Sequence, residues 1–320
     1  MNDDYLWDCA GPPDPEIERL ERTLAPFRYR HSALPERPRG AVGYGWRLAA
    51  AAAVVLGAVA LCRAVAPLPT ATPWRVAGLE GQAHVGTRTA AIDMTVPGGQ
   101  TIRTDSGSTL TLRAEETGRI ALGPDSAMHA SSGRSVALEH GLLHAFIWAR
   151  PGQFVVETAS ARAIDLGCEY TLSVDEAGDG RLAVSMGWVA FQYNGRESFI
   201  PEGAECTTRK RGGPGVPFFE DAPERLREAV ARFDGEDWAT LPVILRNARE
   251  RDALTLWHLL TRVSGTQRGL VYDRFAQLVT LPPEVTRVAV LRADTHSIDL
   301  CWNALGLENT EWWRGWERKW

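Results

Sequence analysis

Hydrophobic and polar residues alternate with a period of two through the middle of the chain, from about Trp74 to Thr208. Leu110 and Leu112 alternate with threonines, and Phe154 and Val156 repeat the spacing. Ile164, Leu166, Cys168, Tyr170, Leu172 and Val174 occupy every second position, as do Leu182, Val184, Met186 and Trp188. Such alternation places one set of side chains on a buried face and the polar set in water, so each run predicts a strand. Turn residues separate the runs at short intervals, among them Pro97-Gly98-Gly99, Asp105-Ser106-Gly107, Gly123-Pro124-Asp125, Ala177-Gly178-Asp179-Gly180 and Asn194-Gly195. No helix-length segment lies between them, which excludes parallel α/β units. The pattern predicts a mainly β, multi-stranded antiparallel or solenoid-like domain over 74–208.

Beyond residue 222 the period lengthens to that of helices. Leu226, Val230 and Phe233 space one helix, and Leu241, Ile244 and Leu245 another; Leu254, Trp257 and Leu260, and Leu270, Phe275 and Leu278, mark two more. Pro282-Pro283 interrupts, and Val285–Leu291 and Ile298–Leu305 suggest final helices, giving an α-helical region over 222–320. Trp302, Trp312, Trp313, Trp316 and Trp320 crowd this end, where packing or interface anchoring accounts for them.

Ahead of the strands, Leu48–Cys62 carries no charged or strongly polar residue. Extended through Arg63 to Leu68, with the guanidinium snorkelling to the interface, the segment reaches about 31 Å as a helix, enough for one membrane crossing. Arg28, Arg30, Arg37, Arg39 and Arg47 precede it against the single acid Glu36, and after Arg63 the next basic residue is Arg75. The positive-inside rule keeps the N-terminus in the cytoplasm and sends the C-terminal bulk outside. Ala64-Val65-Ala66 resembles a signal-peptidase site, but the long leader before it favours an uncleaved anchor in the inner membrane.

Residues 1–47 form the cytoplasmic tail. Asp14 suits a helix cap, Pro15 the first helical position, and Glu16 and Glu18 the positive end of the dipole. Ile17, Leu20 and Leu24 then make one apolar stripe, onto which Leu6 and Trp7 can fold. A short helix with one apolar face is marginal alone in water, so it calls for a protein partner docked on that stripe.

Composition narrows the chemistry. A net charge of -5 gives no basic footprint for nucleic acid, and Arg209-Lys210-Arg211, flanked by Gly and Pro, reads as a solvated turn. Cysteines 9, 62, 168, 206 and 301 have no metal-ligand spacing, and His129, His140 and His144 are isolated. P-loop, nucleophile-elbow and zincin motifs are missing, so the expectation is a non-enzymatic protein without cofactor or metal. Cys168 and Cys206 fall on the oxidising side, where they either pair as a disulfide or stay as buried thiols.

Several segments taken together resemble the FecR-type domain. Gln100–Leu112 is similar to its opening "G-x-x-I-x-T" strand pair, and Leu138-Glu139-His140-Gly141 to its "L-x-x-G" strand. Gly152–Thr158 with Ile164–Gly167 and Tyr170–Val174 resembles the "F-x-V-x-T … L-G-T-x-F-x-V" core, and Arg181–Val189 the closing "V-x-V-x-x-G-x-V" strand. Cys168 replaces the usual Thr, and the receptor-binding C-terminal module of iron-uptake regulators is not visible. The resemblance implies a single-pass regulator that relays a signal from an envelope or outer-membrane protein to an extracytoplasmic-function sigma factor held by the tail through Leu6, Trp7, Ile17, Leu20 and Leu24. A second reading is an anchored periplasmic scaffold or binding protein for an envelope partner or glycan, without a transcriptional role.

Overall fold

A computed structural model of the protein describes residues 73–307, together with Arg19 and Arg22–Leu24. The chain divides into two compact units, 1–68 and 69–320. In the first unit, Arg19 and Arg22–Leu24 are helical and exposed. Leu6, Trp7, Ile17 and Leu20, the apolar segment 48–68, and Trp312, Trp313, Trp316 and Trp320 lie outside the described residues. Among the described residues no helix is long and apolar enough to cross a membrane.

The second unit is mainly β with C-terminal helices. Its strands are β1 (Trp74–Glu80), β2 (Ala83–Val85), β3 (Arg88–Thr89), β4 (Thr95–Val96), β5 (Gln100–Thr104), β6 (Thr109–Ala114), β7 (Gly118–Leu122), β8 (Ala127–Ser132) and β9 (Ser135–Ile147). They continue with β10 (Val155–Glu157), β11 (Arg162–Asp165), β12 (Glu169–Val174), β13 (Gly180–Met186), β14 (Trp188–Tyr193), β15 (Arg196–Pro201), β16 (Ala204–Arg209), β17 (Gly213–Pro214) and β18 (Phe218–Phe219). Two sheets result. The first runs β4-β1-β6-β7-β9-β12-β13-β16, with β17 and β18 both on the far side of β16. The second runs β3-β2-β5-β8-β9-β10-β11-β14-β15. All these pairings are antiparallel except β9 with β10.

Strand β9 belongs to both sheets. Its first half pairs with β8 and β10, and its second half with β7 and β12. The change occurs at Gly141, whose φ of 101° suits glycine and whose missing Cβ makes room for Ser126. Ser126 uses the opening: its hydroxyl accepts the Leu142 amide at 3.0 Å. Leu110, Leu112, Ile120 and Leu122 of the first sheet and Ile102, Met128 and Val136 of the second are fully buried in one continuous core. Burying each such side chain contributes about 1.5–3 kcal/mol, so the alternating positions drive the sheets together.

The alternation at 164–174 is not one strand. The chain leaves the second sheet after Asp165, passes Gly167 and enters the first sheet at Glu169. Residues 182–188 likewise divide at Gly187 into β13 and β14. Ala163, Ile164, Asp165 and Leu166 are buried at four successive positions, so both faces of β11 are covered and Asp165 does not face water. Met186, expected inside, is 43% exposed.

Among the described residues six α-helices follow: α1 (Glu224–Asp234), α2 (Leu241–Asn247), α3 (Ala253–Arg262), α4 (Gly265–Leu278), α5 (Arg287–Leu291) and α6 (Thr295–Asn303). Leu226, Val230 and Phe233 form the buried face of α1, and Leu254, Trp257 and Leu260 are buried in α3. In α4 the core positions are Val271 and Phe275, whereas Leu270 is exposed. Trp302 packs on Trp257 at 4.6 Å, Phe199 at 5.5 Å and Trp188 at 5.9 Å, joining α6 to α3 and to the second sheet.

Candidate functional site

Of the tail residues singled out in the sequence, Leu24 alone is described; it is helical and 57% exposed. A single exposed leucine is common on any surface and does not by itself mark a docking site.

The passage between sheets at 165–170 gathers a polar cluster within the core. Asp165 accepts the Gly167 amide at 2.8 Å, and the Cys168 thiol donates to the other carboxylate oxygen. Burial pushes the Asp165 carboxyl up to about 7 and raises the thiol as well. Tyr170, fully buried, has no hydrogen-bond partner for its hydroxyl among the described residues, and burial holds it protonated. Cys168 and Cys206 are both free and buried. The alternative of a disulfide is therefore not taken: Cys168 turns to Asp165, and Cys206 donates to the Gly215 carbonyl at 3.3 Å. Protonated, enclosed thiols are poor nucleophiles, so this cluster is a packing feature.

A second polar cluster fastens helices to strands. Strand β15 is the last of its sheet, and an open edge leaves backbone groups unpaired. Helix α3 supplies the partners. His258 Nε2 accepts the Phe199 amide at 3.0 Å, while Nδ1 lies 2.9 Å from the Leu254 carbonyl. Arg262 donates to the carbonyls of Glu197, Pro214 and Gly215 and to the Ser198 hydroxyl. Burial pushes His258 down to about 3, so it stays neutral and can accept.

The outward face of the first sheet differs in kind. Cross-strand register sets Arg75 opposite Arg113, Arg113 opposite Arg119, Arg119 opposite Phe146, Phe146 opposite Glu169 and Glu169 opposite Met186. The Arg113 guanidinium lies 5.6 Å over the Trp148 ring, and that of Arg119 lies 6.0 Å over Phe146. Trp148 also donates to the Glu115 carbonyl at 2.7 Å, which fixes its ring. Glu169 takes His144 as its partner at 3.1 Å. Among the described residues, no carboxylate pairs with Arg75, Arg113 or Arg119. The sequence alone does not bring these residues together. Alternation marks Arg113 and Arg119 as outward, but the row exists through strand register.

A cleft of about 560 Å³ lies beside α3, lined by Glu250, Arg251, Leu254, Leu278, Leu305 and Leu307 among others. Arg251 closes one side, stacked 4.3 Å over Phe219. Among the described residues no three His, Cys, Asp or Glu side chains are grouped to hold a metal ion.

Comparison with protein-family models gives no match, and comparison with curated proteins gives none either. Among solved structures, the chain is similar to a candidate anti-sigma factor from Parabacteroides distasonis ATCC 8503, seen in crystals at 1.65 Å and 2.50 Å resolution. Identity is 17% and the TM-score 0.34 in both cases. The match covers 40% of this chain and 63% and 62% of those chains, so this chain spans under two thirds of their length.

Proposed function

We propose that the chain is a single-pass inner-membrane regulator. Its tail holds an extracytoplasmic-function sigma factor inside, residues 48–68 cross the membrane, and the β unit with its helices meets an envelope or outer-membrane protein outside. The reading is non-enzymatic. A partner outside and a sigma factor inside communicate only if each binds two states of the regulator with different affinity.

One observation carries the reading. The glycines in three separate FecR-type motif segments, Gly141, Gly167 and Gly187, each stand where the chain passes from one sheet to the other. The resemblance therefore extends from letters in the sequence to the positions that build the fold. The apolar stripe that the sequence predicts at Ile17, Leu20 and Leu24 gives the inside half of the relay its contact. The scaffold reading leaves that stripe without a role.

Topology is tested by reporters fused after residue 47 and after Trp74. The reading expects a cytoplasm-active reporter at the first site and an envelope-active reporter at the second. Cytoplasmic activity at both sites would refute it.

A further inference from the structure

We propose that the outer face of the first sheet, centred on Arg75, Arg113, Arg119, Phe146 and Trp148, docks a protein segment that presents carboxylates beside apolar side chains. The inference stands whether or not the tail binds a sigma factor.

The arginine row is unusual for a free surface. Like charges directly opposite on neighbouring strands repel, yet Arg75, Arg113 and Arg119 stand in succession on β1, β6 and β7. Ordinary surface arginines relieve such repulsion with nearby acids. Here the nearest acid in the row, Glu169, is taken by His144. Two of the three guanidiniums instead rest on aromatic rings, an attraction that orders the cation without neutralising it. A guanidinium lying over a ring keeps its N–H edge available to fork a carboxylate. Adjacent strands are about 4.8 Å apart, so the row offers three donors across about 10 Å.

Apolar neighbours favour a protein over a simple polyanion. Trp148 and Leu142 are each 42% exposed and Met186 is 43% exposed, all on the same outward face. A polyanion needs charge alone, whereas Trp, Phe, Met and Arg together are what protein interfaces enrich at their centres. A second copy of this chain is a poorer fit, since its own net charge is only -5 over 320 residues.

The test uses the full chain in detergent micelles and a fluorescein-labelled peptide of alternating Glu and Phe, read by anisotropy. Arg113→Glu/Arg119→Glu is expected to weaken binding at least tenfold. Arg113→Lys, which keeps the charge but loses the fork, and Trp148→Ala should each weaken it about threefold, with matching salt dependence. Arg225→Glu, exposed on α1, serves as the remote charge-reversal control and should leave binding unchanged. Thermal unfolding of each variant checks that the fold is intact, and Arg113→Gln/Arg119→Gln replaces the reversal if it unfolds. Absence of binding, or equal loss in Arg225→Glu, overturns the proposal. So does tighter, arginine-dependent binding of dextran sulfate, which would assign the face to a polyanion. Self-association in sedimentation velocity that the Arg113/Arg119 variant abolishes would assign it to a second copy instead.

Discussion

Gly187 packs directly against Gly167: a Cβ at 187 would overlap the Gly167 carbonyl oxygen. The two residues are the corners at which β13 gives way to β14 and β11 to β12, so two neighbouring passages between the sheets share one close contact. The φ of 74° at Gly187 adds a conformational demand to the steric one.

Gly187→Ala should therefore destabilise the β unit by more than about 2 kcal/mol, since the left-handed backbone alone costs an alanine roughly 1–2 kcal/mol and the overlap adds to it. Gly195→Ala, with φ 79° but nothing within 4 Å of its Cβ, should cost only the backbone term, about 1 kcal/mol. Denaturant unfolding of both variants separates the two contributions. Equal losses would contradict the packing described.

Asp165 should make stability fall as pH rises. Its carboxyl is raised in the fold to about 7, above its unfolded value near 4, so the folded state holds the proton more tightly. The contribution is complete below pH 4 and is lost between about 4 and 7. Each tenfold change in proton affinity is worth about 1.4 kcal/mol, so the loss is on the order of a few kcal/mol. Asp165→Asn should lose this falling contribution when unfolding is followed across that range. Its stability relative to the unsubstituted chain should therefore rise there, on top of the opposite-sign contribution of His258 that both proteins keep. An unchanged slope would place Asp165 in contact with water.

His258 acts with the opposite sign. Its folded value is pushed down to about 3 from 6.5, so its contribution is present above pH 6.5 and is lost as pH falls toward 3. His258→Ala removes the acceptor for the Phe199 amide, leaving a buried donor whose desolvation costs about 1–3 kcal/mol. Hydrogen exchange should show the Phe199 amide losing protection before the core strands. Retained protection would mean that α3 does not hold the β15 edge.

Cys168 and Cys206 should resist iodoacetamide in the native protein and react fully in concentrated guanidinium, read by intact mass. Both thiols are buried, and burial keeps them protonated. A native mass lacking two hydrogens, restored by reductant, would show the disulfide instead.

Strand content and helix placement were legible in the sequence because burial enforces a period of two in a sandwich and a longer period in helices. The division of 164–174 was not. Where a chain crosses between two sheets that share one core, inward side chains before and after the crossing merge into one apparent alternation, and only Gly167 marks the break. Asp165 read as solvent-facing because its neighbours alternate, yet β11 is covered on both faces. Leu270 reads as a core residue beside Phe275 and Leu278, but five residues are about 1.4 turns, so it points away from Phe275. Val271, four residues before Phe275, takes the buried position. The arginine row was invisible for a simpler reason: Arg75, Arg113 and Arg119 meet through strand register, which period alone does not fix.

Retention of a sigma factor by the tail tests the account most directly. The full chain, purified from cells that co-express each of the organism's extracytoplasmic-function sigma factors, should retain one of them. Ile17→Asp/Leu20→Asp should release it while leaving the unfolding of the β unit unchanged. Failure to retain any sigma factor, or retention unaffected by those two substitutions, would contradict the account.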